Sequence, residues 1–208
     1  MKVELIEHAG GDLSVVNSAR VSFNKSVDTI ESRDEKLINY LASHQHTTPF
    51  RHNFVSLRCS VPLFLARQLM KHQAGLSWNE ESRRYVDSTP EFFVPEKWRR
   101  RPEKSIKQGS SNEEVEGVSE TYNHYIDYTK QVYKNLLQDG VAPEMARLVL
   151  PQSMIVNFIW SGNILAFAHV YKLRSGEGAQ EEARKFAELL DNAIQPCFPV
   201  AWEALKNN

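Results

Sequence analysis

Cysteine is nearly absent. The 208-residue chain carries only Cys59 and Cys197, far apart and in no CxxC pair. That excludes a disulfide framework and points to a reduced compartment, with both thiols packed as small apolar groups. An excess of one charge is missing too: 25 Lys and Arg meet 26 Asp and Glu, a formal net charge of −1. General nucleic-acid binders are more basic. No nucleic-acid partner is expected, and an anionic ligand must be small and met by local charge. No apolar run approaches the roughly 18 residues of a membrane helix, so no membrane partner is expected. The first residues, MKVELIEHAGGDLS, lack the apolar stretch of a secretory leader, and a cytoplasmic protein is the expectation. Neither a G-x-G-x-x-G nor a G-x-x-x-x-G-K-[ST] run occurs, which removes Rossmann and P-loop logic. His44, His46 and His52 lack a carboxylate or cysteine at ligand spacing, so no metal is expected.

What is present suits one globular domain over residues 1–208, with 41% hydrophobic residues to build a core. KVELI reads as a short strand, and Asp12 is placed to cap a helix over LSVVNSARVSF. SRDEKLINYLASH reads as a helix with Ser32 and Glu35 at capping-box spacing and Leu37, Ile38 and Leu41 as its stripe. FVSLRCSV alternates, with Val55, Leu57, Cys59 and Val61 on one face of a strand. Pro62 is expected at the first position of a helix through His72. Residues 74–100 look irregular or extended, and RRRPEKSIKQGSSNEE looks like a solvated loop. A long helix is expected from Glu113 to Gln138, ended by Gly140. After it come a short helix EMARLVL, a strand SMIVNFIW, helices NILAFAHVYKLR and AQEEARKFAELLDNAI, and a last short helix after Pro199. The fold class is therefore α+β, helix-rich, with a small sheet.

The chemistry concentrates in ARQLMKHQAGLSWNEESRRYVDS. If helical, Gln68, Lys71 and His72 share one face, though a cation at a helix C-terminus also complements the dipole without any ligand. If NEESRRY is extended, Glu80, Ser82 and Arg84 share one face and Glu81, Arg83 and Tyr85 the other. Arginine forks suit phosphate or an imide edge, and a hydroxyl can complete the cradle. Ordinary surface salt bridges are the plain alternative. Arg147 sits among apolar residues and needs a buried carboxylate or a ligand. Arg174 ends an amphipathic helix before SGEG, with His169 about a turn earlier. Either both are routine, a helix cap and a core histidine, or all of these residues build one anion site.

The blocks ARVSF, HTTPFRH, ARQLMKHQ, NEESRRY, ARLVLP, SGN and LRSGEGAQEE, in this order, resemble the flavin-dependent thymidylate synthases. That family's signature is Arg-His-Arg, seven or eight residues, then Ser, with Arg-Tyr following. Here it reads Lys71-His72-Gln73, eight residues, Ser82, then Arg84-Tyr85. The KHQ form resembles a divergent, phage-type branch. The resemblance implies the family fold, with a mostly antiparallel sheet, and a homotetramer with active sites shared between chains. It implies reductive methylation of dUMP to dTMP, with methylenetetrahydrofolate as carbon donor and NADPH-reduced FAD as hydride source. Related outcomes are hydroxymethyl transfer, a dCMP substrate, or a non-catalytic nucleotide-binding relative. By matching position, dUMP would meet Gln68, Lys71, Glu80, Glu81, Ser82, Arg83, Arg84, Arg147 and Arg174, the last also catalytic at the pyrimidine edge. FAD would meet Thr48, Lys71, His72, Gln73, Glu80, Asn163, Ile164, Leu165 and His169. His46 and Tyr85 would lie near the stacked rings or the folate. Ser82 reads as a binding hydroxyl, with no base paired to it. This chain departs from the family in that Lys71 and Gln73 replace both signature arginines. It departs again at Asn163-Ile164-Leu165, where the family has Asn-x-Arg. Lysine keeps charge without the bidentate fork; glutamine and leucine keep neither.

Overall fold

A four-stranded antiparallel sheet in the order β1-β2-β4-β3 organises the chain. The computed structural model describes residues 1–103 and 109–208. β1 (Lys2–Ala9) is an edge strand and β3 (Leu76–Glu80) the other edge. β2 (Phe54–Pro62) and β4 (Ile155–Gly162) lie between them. β2 behaves as its alternation predicts: Val55, Leu57, Cys59 and Val61 are wholly buried, while Phe54 and Arg58 face out. β4 supplies Val156, Phe158 and Trp160 to the same core. Its register against β2 pairs Leu57 with Trp160 and Cys59 with Phe158.

Helices bury the sheet's inner face. α6 (Ile164–Ser175) is apolar nearly all round, with Ile164 to Ala168 and Val170 buried. It packs against α7 (Glu181–Ile194), whose stripe Ala183, Phe186, Ala187, Leu190 and Ile194 has helical spacing. The rings of Trp160 and Phe167 meet edge-to-face, 5.5 Å between centroids. α8 (Pro199–Asn207) closes the core with Trp202, against α2 (Ser32–Ser43). Each wholly buried Leu or Ile contributes about 1.5–3 kcal/mol. α1 (Asp12–Arg20), α3 (Leu63–Leu69), α4 (Val118–Gln138) and α5 (Pro143–Ala146) complete the described helices.

Several sequence expectations are corrected. Asp12 does not cap α1; Gly11 holds that position. Its carboxylate instead accepts from Val200 N at 2.9 Å and Ala201 N at 2.8 Å, capping α8. The N-cap of α2 is Glu31, not Ser32, and Asp34 reaches back to the Glu31 N–H. Pro62 is the last strand residue and N-cap of α3, not its first turn. α3 stops at Leu69, so Lys71 and His72 lie beyond it. α4 starts at Val118 because Gly117 turns left-handed (φ 77°), and Glu114 bridges back to Arg99 instead of joining the helix. EMARLVL splits into α5 and a 3-10 turn, Arg147–Val149. Of the expected solvated loop, residues 104–108 lie outside the described residues. Arg99 at its start is far from solvated: its side chain is 15% exposed and paired with Glu181 and Glu182. Cys59 is buried, but Cys197 is only partly so. Burial pushes the Cys59 thiol up to about 12, which leaves no thiolate for chemistry.

Candidate active site

The polar run after β3 folds into a tight turn instead of continuing as a strand. Tyr85 N and Val86 N both donate to Ser82 O. The expected sorting of residues 80–85 onto two faces therefore does not hold. Glu80, Glu81, Ser82, Arg83 and Arg84 all line one cleft of about 580 Å³, together with Leu63 of α3, Val156 of β4 and Met154 just before that strand. Arg147 and Leu148 form its far wall. Arg147 is exposed; among the described residues it finds no carboxylate partner, and its Nε donates to Glu144 O at 3.1 Å. Ser82 Oγ accepts from Arg84 N and Nε, at 3.3 and 3.4 Å. Arg84 lies over the ring of exposed Tyr85, 5.1 Å from its centre. Arg83 donates to Ser88 O at 2.6 Å. Burial raises the Glu80 carboxyl above its usual range, partly offset by a 3.3 Å hydrogen bond from Trp78 Nε1. Asn157 had no signal in the sequence. It stands in β4, lines the cleft, and donates from Nδ2 to Glu81 Oε2 at 3.1 Å.

Gln68 and Arg174 lie elsewhere. They share a second hollow of about 470 Å³ with Arg99 and Gln180. Arg174, in the last turn of α6, donates from Nε to His72 Nε2 at 3.2 Å and from Nη2 to Gln68 O at 3.2 Å. Gln68 Nε2 donates to Gln180 Oε1, and Gln180 Nε2 to Glu182 Oε2, both at 2.8 Å. Because a carboxylate only accepts, Glu182 fixes which way both amides point. Glu182 is buried, and both of its oxygens accept from Arg99 Nη2, at 2.8 and 2.9 Å. Gln180 and Glu182 stand in the AQEE block, whereas nothing in the sequence singled out Arg99.

The remaining candidates gather where α6 begins. Asn163 caps α6 through Oδ1, which accepts from Ala166 N at 3.0 Å, so only its Nδ2 is free for a ligand. Ile164 and Leu165 turn into the core, 0% and 6% exposed, so neither presents a side chain to a ligand. The Ile164 N–H is already held by Asn53 Oδ1 at 2.9 Å. His169 faces out, so it is not a core histidine. Lys71 and Gln73 are exposed on the turn between α3 and β3. That turn presses close on α6 and β4: Gly75 has φ 75°, and a Cβ on Gly162 would run into the Gly75 carbonyl. Thr48 opens a 3-10 turn, Thr48–Arg51, that packs on α6. His46, just before it, stacks with Tyr40 and His44.

Residues 4–200 match the family described as thymidylate synthase complementing protein. A flavin-dependent thymidylate synthase of Kosmotoga olearia is 38% identical, over 99% of this chain and 90% of its own length. The chain belongs to the flavin-dependent thymidylate synthase family. A Thermus thermophilus member is 33% identical over 99% of the chain and 76% of its own length. Among solved structures, the UMP/dUMP methylase PolB from Streptomyces cacaoi, bound with 5-Br UMP, has a TM-score of 0.85 at 32% identity. That match covers 99% of this chain and 93% of PolB.

A phosphate-bearing flavin needs cations and donors, and cations gather on the α6 face. His169, Lys172 and Arg51 lie together there. Though His169 is exposed, partial desolvation of its ring first, then Lys172 and Arg51, hold the imidazole below its ordinary range. His72 is lowered likewise, by burial, then Arg174 and His169. Among the described residues, Arg51, Lys71 and Lys172 have no carboxylate within 4.0 Å. A face that keeps positive charge without a protein counter-charge suits an anionic cofactor.

Proposed function

We propose that this chain converts dUMP to dTMP, taking a one-carbon unit from methylenetetrahydrofolate and reducing equivalents from NADPH through FAD. The observation that carries the reading is the shared cleft: residues 80–84 and Arg147 face one hollow of nucleotide size. Arg84 and Arg147 supply forks for the 5′-phosphate, Ser82 a hydroxyl, and Glu80 an acceptor for a ribose hydroxyl. Arg174 donates at the pyrimidine edge and favours the N3-deprotonated form, which raises electron density at C5. The hydroxyl of Ser82 is a ligand group, since among the described residues its side-chain partner is Arg84 and not a base. When bound, the flavin supplies hydride; Thr48, Lys71, His72, Gln73, Asn163 and His169 would hold it. Because Gln68 and Arg174 line a different hollow from Arg84 and Arg147, the complete site needs a second copy of the chain. Leu148 and Tyr85, 74% and 76% exposed beside the cleft, are candidates for burial in that assembly. A homotetramer in the cytoplasm, built from a single domain per chain, is the form we propose.

The test is anaerobic turnover with FAD, NADPH and methylenetetrahydrofolate, offering dUMP and UMP in parallel. Product is identified by mass, with light scattering on the same sample. dTMP from an oligomer supports the reading. No methylated product, or a monomer that turns over, overturns it.

A further inference from the structure

We infer that Arg51 is a flavin-phosphate residue of this chain, its guanidinium mounted over the outer face of α6 to do what the missing signature arginines do elsewhere. The inference rests on the flavin reading above.

The mount is rigid. Phe50 beside Arg51 is wholly buried. Two residues on, Asn53 accepts from Ile164 N, the first residue of α6. The 3-10 turn packs on α6, and the segment just after it is tied to the start of that helix, so Arg51 is carried on a fixed base close enough to His169 for their charges to interact. The guanidinium itself is uncommitted. Its one side-chain partner is Thr47 Oγ1, at 3.4 Å from Nη2, and among the described residues no carboxylate pairs with it. Arg20 and Arg99, by contrast, are each met by carboxylates: Arg20 by Asp34, and Arg99 by Glu181 and Glu182.

The surroundings are cationic. His169 and Lys172 lie on the same face of α6, and His169 is disfavoured from taking a proton partly by Arg51 itself. Without a ligand, Arg51 adds repulsion; with a diphosphate it is relieved. The positions matched to the family's own arginines supply no fork. Lys71 offers a point charge, Gln73 no charge, and Leu165 is buried in the core. Arg51 is the residue near Thr48 and His169 with five donors in a planar array. The competing view, a solvated surface arginine, predicts no consequence for any ligand.

The experiment titrates the full-length, flavin-free protein with FAD and, separately, with riboflavin, which has no phosphate, following quenching of flavin fluorescence. The proteins are wild type, Arg51→Ala, Arg51→Lys and the double variant Arg51→Ala/Gln73→Arg. Arg51→Ala is expected to weaken FAD about tenfold, the size of a charge-assisted bond at a partly exposed site. Riboflavin binding should stay unchanged, Arg51→Lys should fall between, and Gln73→Arg should restore FAD binding in the double variant. If Arg51→Ala misfolds by melting temperature, Arg51→Lys carries the same comparison. Unchanged FAD affinity in both single variants, or equal loss for FAD and riboflavin, overturns the inference and leaves the flavin reading standing. A wild-type protein that takes up no FAD overturns the flavin reading and the inference together.

Discussion

Arg174 donates from Nε to Nε2 of His72 at 3.2 Å, joining the end of α6 to the turn that follows α3. An imidazole that accepts at Nε2 carries its proton on Nδ1. The bond orients the guanidinium and leaves Nη1 for a substrate. Removing Arg174 should therefore hurt chemistry more than folding. Arg174→Ala is expected to lower turnover by about 100-fold or more, since it removes a fixed donor to developing charge. The lost hydrogen bonds cost about 1 kcal/mol, a fall in melting temperature of about 2–4 °C. A variant that melts much earlier yet turns over normally would return Arg174 to a helix-capping role and shift the pyrimidine edge to Arg84.

The same pair sets a pH response. His72 and His169 are both held below their ordinary 6.5 by burial and neighbouring cations. In the unfolded chain they protonate near that value; in the folded chain they stay neutral to lower pH. The unfolded state thus binds more protons in this window, and stability drops as pH falls through about 6.5 towards the folded values. Above the window they contribute no pH dependence. Thermal melts of flavin-free protein from about pH 8 to about pH 5 should show the loss, and His72→Gln should make it smaller. An unchanged slope in His72→Gln would mean that carboxylates alone set the acid limit.

Glu182 is expected to be the most costly carboxylate to remove. It is buried with Arg99, and it orders the amides of Gln180 and Gln68. Glu182→Ala leaves a nearly buried guanidinium with only Glu181, a loss of about 3 kcal/mol and about 6–12 °C in melting temperature. Calorimetry measures it directly. A change under about 2 °C would show that Glu181 alone satisfies Arg99.

Asp12 offers a cleaner test of long-range capping. Its two oxygens hold the first N–H groups of α8. Asp12→Ala should cost about 2 kcal/mol in urea unfolding. Asp12→Asn, with one acceptor oxygen left, should cost less. Equal losses would show that charge at the helix terminus, and not the paired hydrogen bonds, carries the effect.

Much was legible in the sequence because it depends on neighbours along the chain. The alternation of Val55, Leu57, Cys59 and Val61 marks a strand whichever sheet receives it, and the spacing in AQEEARKFAELL marks α7. The order of the blocks from ARVSF to AQEE named the family, since it is a property of the string itself. Leu76–Glu80 was not legible as a strand. It is short, follows a glycine and carries a polar end, and only the register with β4 makes it one, Trp78 opposite Trp160. Asp12 reads correctly as a capping residue, but a local reading cannot reveal that its helix begins at Pro199.

The candidate site divides along the same line. The sequence determined which side chains were available: the arginines, the carboxylates, Ser82, and the loss of the signature arginines at Lys71 and Gln73. The tertiary structure alone decided their grouping. It put residues 80–84 with Arg147 in one hollow and Gln68 with Arg174 in another. It sent Leu165 inward and set Arg51 beside His169. Those outcomes depend on how β4 and α6 pack, and contacts between residues far apart in the chain leave no periodic trace in the sequence.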